Sequence, residues 1–193
     1  MARKDTGARG WRSPWRLAGW GLAAVLLLVP LATMRVTDAV NWSPADFAFA
    51  AVMIGGVGIA FELAVRATRS LAYRVGTALA LAAGFLLIWI DAAVGIIGDE
   101  GNPLNLLYVA VPAVALAGAV VARFRAAGMA RAMIVAATVQ ATIGGVAVVA
   151  GGREPPGAAG QVVLNGIFVL LFVGAALLFG RAARAEVATD RPG

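Results

Sequence analysis

Six apolar runs, each long enough to cross a bilayer as a helix, take up most of this chain of 193 residues. A hydrocarbon core ~30 Å thick takes roughly 20 apolar residues as helix. Within it every backbone polar group must be satisfied inside the protein, which a helix does by itself. The runs cover about 17–34, 46–65, 77–98, 104–122, 132–150 and 161–180. The expected fold is an all-α membrane protein, a six-transmembrane-helix bundle read as a single membrane domain over 17–180. Composition agrees: 61% of the residues are hydrophobic and 13% charged, against ~25% charged in soluble domains.

The segments between the runs alternate in charge, and this sets the expected orientation. Segments 1–16, 66–76, 123–131 and 181–193 are rich in arginine, whereas 35–45, 99–103 and 151–160 are not. With the N-terminus inside, only Arg35 and Arg153 of the sixteen Lys and Arg fall outside, leaving fourteen inside. Cytoplasmic loops carry the excess of Lys and Arg, so both termini are expected in the cytoplasm. Residues 1–16 then read as a basic cytosolic tail with Trp11 and Trp15 at the interface, and 181–193 as a disordered cytosolic tail. The first run follows a basic leader, as a signal peptide would. Thr33, Met34 and Arg35 offer no small-residue cleavage site, so a retained helix is expected, with a cleaved signal as the alternative.

There are no cysteines and no histidines. Disulfides, iron–sulfur clusters, histidine-ligated haem and imidazole-dependent triads are therefore excluded. No Gly-rich phosphate loop, dinucleotide fingerprint or hydrolase motif is found. The chain is expected not to be an enzyme, with no catalytic residue, no cofactor and no metal. Its expected partners are the lipid bilayer and either a second copy of itself or a membrane partner protein, with no nucleic acid.

Function then turns on polar residues inside the apolar runs. Asp91 lies well inside the third run, and an acid at that depth is costly enough to raise a functional question. Helical spacing puts Asp91 on one face with Gly84, Gly95 and Gly98, about 10 Å below Gly98. The same spacing places Asn105 and Tyr108 on a small-residue stripe of the fourth run, Gln140 on one of the fifth, and Gln161 with Asn165 one turn apart on the sixth. Small stripes are where membrane helices pack, so these groups should face the interior. Pro112 would free the Tyr108 carbonyl at a similar level. Asp91, Asn105, Tyr108, Gln140 and Asn165 are the candidate pocket residues. Glu62, one turn before Arg66 near the inner end of the second run, reads as an ion pair at the interface.

The run IIGDEGNPLNLLY (96–108), followed by ARFRAAGMARAM (122–133), resembles a group of small uncharacterised bacterial integral membrane proteins. The likeness extends back through WSPADFAFA (42–50). It implies a multi-pass protein of the bacterial inner membrane and adds no catalytic residue. The leading expectation is an outward-facing polar pocket around Asp91 that binds, senses or passes a small solute or proton. The alternative is a structural or partner subunit whose polar residues only lock helices together.

Overall fold

A computed structural model describes residues 14–38, 40–153 and 155–189. Most of the basic leader and the last four residues thus lie outside the described residues. The elements are α1 (Pro14–Thr33), α2 (Pro44–Ala67), α3 (Leu71–Val94), a 3₁₀ segment (Pro103–Val109), α4 (Ala110–Val121), α5 (Ala126–Ala150) and α6 (Gly157–Thr189). No strand occurs among the described residues. Six helices are long and apolar enough to cross a membrane, the 3₁₀ segment and α4 together forming the fourth.

Where the helices start and stop departs from the hydropathy limits for identifiable reasons. Ser43 and Asp46 cap α2 reciprocally: the Ser43 N–H and hydroxyl donate to Asp46 Oδ2 at 2.7 and 2.9 Å, and the Asp46 N–H donates to Ser43 Oγ. This is a capping box, with Pro44 at the first helical position. Ser70 caps α3 by accepting from the Tyr73 N–H. Arg74, expected in a basic loop, is inside α3. Its guanidinium turns back to the carbonyls of Thr68 and Val65 at 2.9 and 2.8 Å, satisfying the open end of α2. Arg131 likewise lies inside α5, not in a loop. The tail expected to be disordered from 181 is helical through Thr189, since its Ala, Arg and Glu are strong helix formers.

The third run does not end as expected. α3 stops at Val94, and Gly95 adopts φ +70°. A Cβ built at Gly95 would lie 2.3 Å from the Asp99 carbonyl, so only glycine fits there. Residues 95–98 fold back as a loop and do not continue the helix. Gly95 and Gly98 therefore share no helical face with Asp91, which sits one turn from the helix end rather than ~10 Å below it.

The chain divides into two compact units, residues 1–60 and 61–193, where the sequence suggests one six-helix domain. In the first, α1 meets α2 where the Trp20 ring covers Gly58. In the second, α6 packs against α3 and α5, and α5 also packs against α4. Its core combines Leu87, Phe168, Phe172 and Phe179 with many alanines of α5, small residues that let backbones approach closely. The Tyr73 hydroxyl donates to the Phe124 carbonyl at 2.7 Å. This fastens α3 to the tight α4–α5 turn, where Arg123 and Phe124 both have positive φ.

Candidate functional site

Three helical segments of the second unit, the 3₁₀ segment, α5 and α6, bring amide and hydroxyl groups together. Asn165, in the third turn of α6, is the hub. Its Oδ1 accepts from the Tyr108 hydroxyl at 3.0 Å and from Gln140 Nε2 at 2.9 Å. Its Nδ2 donates to the Gln161 carbonyl at 2.8 Å and to Gln161 Oε1 at 3.1 Å. A backbone carbonyl only accepts, so the amide orientation is settled, and all four of its hydrogen-bonding positions are used. Gln161 extends the chain by donating through Nε2 to the Ile96 carbonyl at 2.6 Å.

The network then enters the loop after α3. Asn105 Oδ1 accepts from the N–H groups of Ile96 and Ile97, at 3.2 and 2.9 Å. Its Nδ2 donates to the Asp99 carbonyl at 2.7 Å. Non-helical backbone at membrane depth must find its partners within the protein, and Asn105 supplies them here. Ile96 and Ile97 are themselves buried. The 3₁₀ geometry from 103 to 109 makes this possible by placing Asn105 against the loop and Tyr108 against α6. The Tyr108 carbonyl accepts from the Ala110 N–H, so Pro112 does not leave it free, contrary to the expectation above.

The candidate residues therefore divide. Tyr108, Gln140 and Asn165 touch directly. Asn105 reaches them only through Ile96 and Gln161, and its work is to hold the loop. Gln161, outside the candidate set, is a full member of the network, and its place one turn before Asn165 was the available signal. All five are nearly inaccessible: Tyr108, Gln140 and Gln161 are 0% exposed, and Asn105 and Asn165 are 4% exposed.

Asp91 stands apart. It is half-buried and hydrogen-bonds to none of these side chains. Its Oδ1 is buried with no partner within the protein, and so is Gln140 Oε1. Leaving a buried acceptor unsatisfied costs about 1–3 kcal/mol, and more for a charged group. Gln140 is joined to Tyr108 through Asn165.

Glu62 and Arg66 pair as expected, at 3.1 Å, with the arginine side chain 57% exposed. A helix pair this open contributes only ~0.3–0.5 kcal/mol. Among the described residues no group of acids could hold a metal ion. Comparison with protein-family models, curated proteins and solved structures finds no match to this chain.

Proposed function

We propose that this is a non-enzymatic multi-pass protein of a bacterial inner membrane, whose outer polar cluster binds, senses or passes a small hydrogen-bond donor or a proton. The observation that supports the reading is the pair of orphaned buried acceptors, Asp91 Oδ1 and Gln140 Oε1, beside a network that is otherwise satisfied. All the unmet capacity is acceptor capacity, so the occupant must bring hydrogens. Protons, ammonium and small protonated amines have that chemistry. Asp91 is the titratable member, and Tyr108 and Gln140 belong to the buried network beyond it.

The test uses the purified chain in liposomes with an entrapped pH-sensitive dye. An imposed pH gradient should collapse faster than in empty liposomes, with and without ammonium. Asp91→Asn keeps the shape and loses the titration, so it should return the rate to the empty-liposome level. A variant that conducts as well as the parent chain would remove Asp91 from any transfer role.

A second reading is favoured by one observation. Asn165 is saturated and the network is closed to solvent, as expected of a lock between helices in a structural or partner subunit. Absence of flux in the parent chain, together with no thermal stabilisation by ammonium or methylammonium, would favour this reading.

The orientation belongs to the same proposal. It is supported by the fourteen-to-two division of basic residues. Reporter fusions at positions 40, 100 and 155 should read periplasmic, and those at 70, 127 and 190 cytoplasmic. A cytoplasmic reading at 100 would overturn it.

A further inference from the structure

At the arginine-rich end of the second unit, α5 and α6 enclose a groove of about 510 Å³. The helices run antiparallel, so the second turn of α5 lies beside the last third of α6. Arg131 from α5 and Arg184 from α6 line one end of the groove. Ile134, Val135 and Leu177 form its apolar wall, and Gly180 leaves space beneath Arg184. The apolar side chains are half-exposed or more, at 49%, 51% and 61%. A Cβ at Gly180 would lie 3.6 Å from Arg184 Nη1, so this guanidinium is folded back along its own helix towards the groove. No acid lines the groove. Neither arginine makes an ion pair among the described residues.

We propose that this groove holds one anionic phospholipid, with its phosphate between Arg131 and Arg184 and an acyl chain along Ile134, Val135 and Leu177. Two cations over an apolar wall at the end of a membrane span match the two halves of such a lipid. Basic pockets between membrane helices recognise acidic headgroups in this way. Arginine suits the role because its planar fork binds phosphate oxygens in pairs. The site is separate from the Asp91 cluster and does not depend on the reading given to it.

The test is native mass spectrometry of the full chain with phosphatidylglycerol or phosphatidylcholine of the same acyl chains. Phosphatidylglycerol should be retained preferentially, and millimolar inorganic phosphate should not displace it. The double variant Arg131→Gln/Arg184→Gln should bind it about 30-fold more weakly, which is ~2 kcal/mol for the two charges. The pair Arg69→Gln/Arg125→Gln removes as much charge at the same end without lining the groove, and should bind as the parent does. Gly180→Leu fills the groove with both arginines in place, and should also lose the lipid. This variant and the parent's lipid preference decide the matter if the double variant does not fold. Equal retention of the two lipids, an equal loss in the control pair, or retention by Gly180→Leu would overturn the proposal. Displacement by phosphate would reduce the site to one for a free anion and overturn it too.

Discussion

Asn165→Ala is expected to lower stability by ~2–3 kcal/mol, measured by thermal or denaturant unfolding in detergent. Four hydrogen bonds end on this one amide. Side-chain hydrogen bonds between membrane helices average ~0.6 kcal/mol each, because the separated helices also find partners. The two that cross to Tyr108 and Gln140 would give about 1.2 kcal/mol, and the two to Gln161 lie within α6. Stranding Gln140 Nε2 and the Tyr108 hydroxyl in a site with almost no solvent access adds to that sum. Truncation to alanine introduces no new clash, since the Asn165 Cβ already rests against Gly144. Tyr108→Phe removes a single bond and should cost well under half as much. A loss for Asn165→Ala no larger than that of Tyr108→Phe would mean the hub is not formed in the membrane.

Gly144→Val should be the other severe change, at ~2–4 kcal/mol: overpacking of ~1–3 kcal/mol plus about 1 for disturbed hydrogen bonding. A Cβ at Gly144 would lie 2.8 Å from the Asn165 Cβ and 3.2 Å from its Oδ1. The obstructing atoms sit at the root of a side chain and cannot swing aside, so α5 and α6 must separate where the network joins them. The neighbouring glycine provides the contrast. A Cβ at Gly145 meets nothing within 4 Å, so Gly145→Ala should be neutral or stabilising by up to ~1 kcal/mol through helix propensity alone. If both variants unfold at the parent's midpoint, the close approach of α5 to α6 is wrong.

Much of this arrangement is legible in the residues alone, and the failures share a cause. The six spans follow from hydropathy. The inward placing of Tyr108 and Gln140 follows from polar side chains on small-residue stripes, while Asn165 shows in the sequence only as a polar residue one turn from Gln161. What hydropathy hides is the break after Val94. Ile96 and Ile97 keep the run apolar, although their backbone has left the helix. The partner that allows this, Asn105, comes eight or nine residues later, beyond the reach of any helical periodicity. Charge misleads in the opposite direction: Arg74 and Arg131 read as loop residues, yet both belong to helices. A long side chain can cap a neighbouring helix or lean over a groove while its backbone stays regular.

The length of α6 carries a mechanical consequence. Its 33 residues make a rod of about 50 Å, against a hydrocarbon thickness of ~30 Å. Ala182 still packs in the core, and the exposed stretch from Ala185 to Thr189 makes a short stiff arm of about 7 Å. Asn165 and Gln161 anchor the far end of the same rod. A helix transmits tilt along its whole length, so a reorientation of about 10° at the polar hub moves the tip, ~36 Å away, by roughly 6 Å. The hub and the projecting arm are two ends of one lever.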